Sequence, residues 1–425
     1  MKKIIKVLFL MLLSINLYAK DIKFSNSTDC IKQANIYYIN FLKDKNISSI
    51  KKARDILKEG LKEYKENNLL SNALYEVESS YILNKYDDSV ASDLKKSYKK
   101  ILNVNPTIAI PPSFIEMLKD PNKNPIKFLK EAIKENKMYI SSYIKLAEIY
   151  TDKKHYNLAL ATVKRAQKIS NSPYLLNLKV NIEFFKLYDN DANNESCSLD
   201  NIDSWKKLLE DTKSLIKIAP KNSFSYMVLS LSYLNLGQKN MALYNAKKAT
   251  EFDNDKLYLR NYYHIQIATS HAKEALSSKS IDDENKALAY LSMQKWNEAK
   301  DSYQKIIDDT NSTYFYDYLK KSLTIGMIDG AKKQIEYLAN LPKKVKINNW
   351  NHKIINFLSN KISQKEYLLN IKNSCTKTEA YFYIAYKYLR DNNKDKAKKY
   401  FQKVLNLKIY DFIEYILSSY YIKKL

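Results

Sequence analysis

One spacing recurs four times and constrains the chain more than any other feature. Tyr150 is followed nine positions later by Ala159, Tyr233 by Ala242, Tyr290 by Ala299 and Tyr388 by Ala397. A small residue stands three before each tyrosine: Ala147, Ser230, Ala287 and Ala385. Four and seven beyond each alanine come Val163 and Ala166, Ala246 and Ala249, Tyr303 and Ile306, and Phe401 and Val404. Steps of three and four keep side chains on one face of an α-helix. The residues between tyrosine and alanine are polar or turn-forming. Each unit therefore reads as two antiparallel helices, with small residues where they approach closely.

These positions resemble the tetratricopeptide repeat (TPR) family, whose repeat of about 34 residues is a helix pair with aromatic and small residues at fixed places. Tyr143, Ala147, Tyr150, Ala159 and Ala166 match in one unit. Tyr226, Ser230, Tyr233, Ala242 and Ala249 match in the next, and Tyr381, Ala385, Tyr388, Ala397 and Phe401 in the last. Tyr290, Ala299 and Tyr303 carry the match over 280–311; it weakens over 112–139 and 312–377 and fades before about residue 105. The resemblance implies an all-α fold without β-sheet, an α-solenoid of antiparallel helix pairs wound as a right-handed superhelix.

Gaps between the second-helix alanines test that period. Ala299 to Ala397 spans 98 residues, close to three repeats, and Ala331 falls near one repeat after Ala299. Ala159 to Ala242 spans 83, and the surplus falls on a polar insertion at 189–204. Ala242 to Ala299 spans 57, and the surplus is read as one extra helix near 255–279. Before the solenoid proper (106–425), residues 20–105 show four helical patterns, at 30–44, 48–67, 72–84 and 88–103, read as degenerate repeats or a cap. Three prolines at 104–112 break the pattern there, because proline lacks the amide donor a helix needs.

Glycine is scarce, with four in 425 residues beside eight prolines, where average usage gives about 30 and about 20. Hairpins and barrels need positive-φ turns repeatedly, so most all-β folds are excluded. Glycine-rich nucleotide loops are absent as strings. Short turns between paired helices are expected to need few positive-φ positions, supplied by Gly237 in one turn and by Gly326 and Gly330 in another.

The N-terminus is basic at Lys2, Lys3 and Lys6, apolar over 7–13, and reaches Ala19 before Lys20 and Asp21. That is the grammar of a secretory signal peptide spanning 1–19. The apolar run is short of the ~20 residues a membrane span needs, and no cysteine stands at its end to take a lipid. Export to a bacterial periplasm is expected, with an uncleaved anchor as the alternative. The separations of Cys30, Cys197 and Cys375 show no disulfide framework and no C-x-x-C, so any disulfide is expected to be incidental.

Net charge is +25, from 71 basic and 46 acidic residues, of which only Arg54, Arg165, Arg260 and Arg390 are arginines. Nucleic-acid readers favour arginine for bidentate contacts, so nucleic acid is not an expected partner. Lysine is abundant together with tyrosine, asparagine and isoleucine, as an A/T-rich coding bias produces. Attraction to an acidic surface is the other reading.

No catalytic, cofactor-binding or metal-ligating residue emerges. His264 and His271 stand seven apart, about 10 Å along a helix, too far to share one ion. His155 and His352 have no suggestive neighbours. Hydrolase and zinc-protease strings are absent. The acids at 282–284 and 308–309 suit helix capping. An enzyme is not expected.

In a helix-pair array the first helices line the concave side. The resemblance implies that this side binds peptides through Phe224, Met227, Leu231 and Leu234, then Ile281, Glu284, Leu288 and Leu291, then Glu379, Phe382, Tyr386 and Leu389. Many are apolar, so either they form a peptide groove or a tight superhelix or the helix at 255–279 covers them. A second surface is the capping helix at 409–422, where Phe412, Ile413, Tyr415, Ile416, Leu417, Tyr420 and Tyr421 nearly surround the axis. Solenoid ends normally present a polar face, so this end is expected to form a homodimer or dock a partner. Residues 378–421 also look like the final repeat and cap of periplasmic TPR adaptors that organise peptidoglycan hydrolases. The expectation is a non-enzymatic periplasmic scaffold for protein or peptide partners, at most peripheral to the membrane. A cationic binder of an anionic envelope polymer or membrane surface is the alternative, recognisable by steep salt dependence.

Overall fold

The computed structural model describes residues 24–188 and 201–425. The expected signal peptide, Cys197 and most of the expected insertion lie outside the described residues. Among these residues there are 22 α-helices and no strand, with one isolated bridge between Tyr314 and Lys346. Two compact units, Met1–Leu146 and Ala147–Leu425, make up the chain.

The first unit contains α1 (Ser27–Asp44), α2 (Ile47–Glu63), α3 (Asn68–Asn84), α4 (Asp88–Val104), α5 (Pro112–Lys119) and α6 (Pro125–Glu135). The division falls inside α7 (Ile140–Asp152). Side-chain caps set where the first four helices begin: Asn26, Asn46, Asn67 and Asp87 each accept from a free first-turn amide. A Cβ on Gly60 would sit 2.3 Å from Cys30 Sγ, so glycine lets α1 and α2 touch. The free Cys30 thiol is buried there, which pushes it up to about 11. Arg54 on α2 bonds Glu78 of α3 at 2.9 Å and Asp93 of α4 at 3.0 Å, tying three helices together. The proline break lies inside this unit and is fixed. The Ile110 amide donates to Tyr75 Oη at 2.8 Å, and Asn136 Nδ2 donates to the carbonyls of Pro106 and Ala109 at 2.7 and 2.8 Å.

The second unit holds the remaining pairs: α8 (Tyr156–Gln167), α9 (Pro173–Tyr188), α10 (Ile202–Ile218), α11 (Ser223–Asn235), α12 (Lys239–Phe252), α13 (Lys256–Ala268), α14 (Ala272–Leu276), α15 (Asp283–Ser292) and α16 (Trp296–Asp309). It continues with α17 (Phe315–Ala339), α18 (Asn349–Leu358), α19 (Gln364–Leu368), α20 (Ser374–Arg390), α21 (Lys394–Asn406) and α22 (Ile413–Tyr421), followed by one 3₁₀ turn. α11 packs on α12, α15 on α16 and α20 on α21. Ala159, Ala166, Ala242, Ala249, Ala299, Ala385 and Ala397 are all fully buried, as close helix contact requires. Tyr150, Tyr233, Tyr303 and Phe401 are buried, and Tyr226, Tyr290, Tyr381 and Tyr388 are half-buried. The surplus at 255–279 is a shortened helix pair, α13 with the five-residue α14, rather than one added helix.

The turns overturn the expectation about glycine. Tyr150, Tyr233, Tyr290 and Tyr388 each accept, through the backbone carbonyl, from the amide five residues on, at 2.7–2.9 Å. The residue four beyond each tyrosine is left-handed: Lys154 (φ 60°), Gly237 (75°), Gln294 (62°) and Asn392 (59°). These are Schellman closures, which need a positive φ at each turn. Glycine supplies it only once. Gly326 lies within α17, where a Cβ would sit 2.3 Å from the Tyr386 hydroxyl, and Gly330 (φ 86°) forms the kink in that helix.

Candidate functional site

The first-helix faces of the second unit are closed rather than open. Met227, Leu231, Leu234, Leu288, Leu291, Phe382 and Tyr386 are buried. Phe224 is half-buried, its ring edge-on to Phe184 at 5.8 Å, and Ile281 and Leu389 are half-buried too. Glu284 is exposed and paired with Arg260. The covering reading applies: α13 packs on α11, α17 meets Tyr386 through the Leu323 carbonyl at 2.6 Å, and the C-terminal segment packs on α15 and α20.

That segment runs along the ends of successive first helices. Asp411 accepts from Tyr188 Oη at 2.6 Å and bonds His264 Nε2 at 2.7 Å. Tyr410 lies against Gly237, where a Cβ would come within 2.9 Å of its ring. Tyr420 Oη donates to the Ile267 carbonyl at 2.9 Å and accepts from the Ala272 amide at 3.1 Å. Tyr421 Oη donates to the Leu291 carbonyl at 2.8 Å, and Lys424 Nζ to that of Met293 at 2.6 Å. Carbonyls at helix C-termini have no intrahelical partner; those of Ile267 and Leu291 accept from the turn amides of Ser270 and Gln294, and the phenols add a second donor to each. α22 packs on α15, α20 and α21. Tyr415, Ile416, Leu417 and Tyr421 are buried, while Phe412 and Tyr420 are half-buried. The free apolar face expected at this end is therefore corrected. Its side chains complete a single core that extends from Val180 to Tyr421.

A polar junction sits within this closure. Glu379 on α20 accepts from Trp350 Nε1 at 2.6 Å and from Tyr316 Oη at 3.0 Å to each oxygen. Glu414 on α22 accepts from Tyr383 Oη at 3.0 Å. Burial first, and then Glu414, pushes Glu379 up to about 8. Glu414 is raised by its own burial, against the pull of Lys320, whose ammonium is lowered by burial in turn. The rings of Trp350, Tyr367 and Phe357 stack beside it, with centroids 5.4 and 4.2 Å apart. Burial of the two carboxyls favours their protonated forms, Glu379 above all.

Glu379 was legible as a concave position, but its partners were not. Tyr316 and Glu414 lie 63 and 35 residues away in sequence. His264 carried no sequence signal, since Asp411 is 147 residues off. Among the described residues no three His, Cys, Asp or Glu side chains group as metal ligands.

A family model described as tetratricopeptide repeat matches residues 140–173 and 378–408, the pairs α7–α8 and α20–α21. Solved structures that match include MamA from Desulfovibrio magneticus RS-1, 14% identical, covering 44% of this chain and 89% of that one, with a TM-score of 0.32. The C-terminal part of a TPR repeat-containing protein from Cytophaga hutchinsonii is 16% identical, covering 62% of this chain and 94% of that one, at 0.35. A tetratricopeptide repeat protein from Parabacteroides merdae is 10% identical, covering 76% and 99%, also at 0.35. No curated protein matches the sequence.

Proposed function

We propose that this chain, which carries two matches to the tetratricopeptide repeat, is a non-enzymatic scaffold holding protein or peptide partners in the periplasm. The observation that carries this reading is the pair of repeat matches, with Ala147, Ala159 and Ala166 buried in one and Ala385 and Ala397 in the other. Helix-pair arrays present long surfaces to other polypeptides. The basic and apolar N-terminal pattern with Ala19 supports export, and cell-envelope assembly is the setting we infer from that address. No described helix is long and apolar enough to cross a membrane.

With the first-helix faces buried within the second unit, partners meet the outer faces of the second helices. A homodimer formed through α22 requires exchange of that segment between copies, because its apolar side chains are spent in their own chain. Light scattering on the intact protein distinguishes the two states. The scaffold reading is tested by photo-crosslinking in cells from exposed positions on α12 and α21. Discrete envelope proteins in the crosslinked set support it; a set no different from that of an unrelated exported protein refutes it. N-terminal sequencing of the mature chain tests cleavage after Ala19.

A further inference from the structure

α21 concentrates positive charge. It carries Lys394, Lys396, Lys398, Lys399 and Lys403 against one carboxylate, Asp395. Elsewhere Lys58, Lys95, Lys179, Lys207, Lys248 and Lys305 each meet a carboxylate of a described residue. On α21 no described carboxylate lies within 4.0 Å of any of the five ammoniums. Four of the five lysines are exposed, and Lys403 is half-buried. Two of the ammoniums are held over rings: Lys396 at 5.3 Å from Tyr388, and Lys403 at 4.4 Å from Tyr400 and 5.4 Å from Tyr381. Such contacts restrict where a flexible lysine places its charge.

The geometry of this face selects among anionic partners. Lys394 and Lys398, and Lys399 and Lys403, are each one helical turn apart, about 6 Å. An extended polypeptide repeats side chains on one face at about 6.6 Å, so carboxylates at alternate residues follow the same row. Bilayer association by a helix face uses apolar side chains that enter the interface, and none of the large exposed hydrophobics falls on α21. Base and phosphate readers use arginine forks, which α21 lacks.

We propose that the outward face of α21 binds an acidic stretch of a partner polypeptide in extended form, its alternate carboxylates lying along the lysine rows. This names the partner chemistry for the scaffold function above and rests on it. The test uses the full-length protein and a fluorescent peptide of alternating glutamate and serine, read by anisotropy at low and moderate salt. The fourfold change Lys394→Gln, Lys396→Gln, Lys398→Gln and Lys399→Gln should weaken binding about tenfold or more. The control Lys96→Gln, Lys99→Gln, Lys100→Gln and Lys123→Gln removes equal charge from the first unit and should change it less than about twofold. Equal losses in both variants overturn the proposal in favour of overall charge. Tighter binding of phosphatidylglycerol vesicles, or of an oligonucleotide of equal charge, overturns it in favour of that ligand. Failure of the crosslinking experiment with peptide binding intact would condemn the scaffold function and leave this face standing; the reverse result condemns this face alone.

Discussion

Replacing Glu379 by glutamine should remove a pH dependence built into the second unit. A carboxyl raised above its unfolded value favours the folded state fully only below that unfolded value. The advantage is lost as pH climbs toward the folded one. For Glu379 the window runs from about 4.5 to about 8. At 1.36 kcal/mol per pH unit, the climb from pH 4.5 to pH 7 costs the folded protein on the order of 3 kcal/mol. Glutamine keeps the geometry, since its oxygen can accept from Trp350 Nε1 while its amide donates to Tyr316 Oη. The assay is urea unfolding followed through tryptophan fluorescence at pH 5 and pH 8. Wild type should lose midpoint concentration between them, whereas Glu379→Gln should lose much less and exceed wild type at pH 8. Lys320→Met removes the cation that pulls Glu379 downward and should steepen the wild-type decline. Parallel profiles for wild type and Glu379→Gln would refute the argument.

The left-handed turn positions give a second stabilising substitution. Gln294→Gly relieves a positive φ of 62° and should stabilise by about 0.5–1 kcal/mol in thermal unfolding. Met227→Ser and Tyr386→Ser should each destabilise the second unit by about 2–5 kcal/mol, seen as a lowered melting temperature, because both side chains are core. The alternative, loss of partner capture at unchanged stability, would restore the open groove. Arg54→Ala removes the guanidinium that bonds buried Glu78 at 2.9 Å and leaves it only the Lys58 ammonium at 3.6 Å. Stability of the first unit should fall by about 3 kcal/mol or more, with protection from hydrogen exchange lost first across α2–α4.

What the sequence exposed and what it hid divide along contact distance. Tyr233 and Ala242 meet across a hairpin, so their spacing in the chain is their spacing in space, and the pairing could be read directly. Tyr188 and Asp411 are 223 residues apart, and nothing in either neighbourhood records the curl that brings them together. Apolar concave positions such as Met227 and Leu231 were consistent with a groove and with a core alike. For Phe382, another such position, the deciding residue is Tyr421, whose ring centroid lies 6.4 Å from its own. The same logic explains the glycines. Lys154, Gln294 and Asn392 occupy left-handed turns at a cost of about 1 kcal/mol each, which helix packing on both sides absorbs, so scarce glycine did not mean scarce positive φ. Gly237 keeps its glycine for a second reason that no turn rule contains, the Tyr410 ring lying where a Cβ would be. A glycine-poor chain of hairpins can therefore close on itself, and where it has done so its free surface moves outward, to second-helix faces such as the lysine rows of α21.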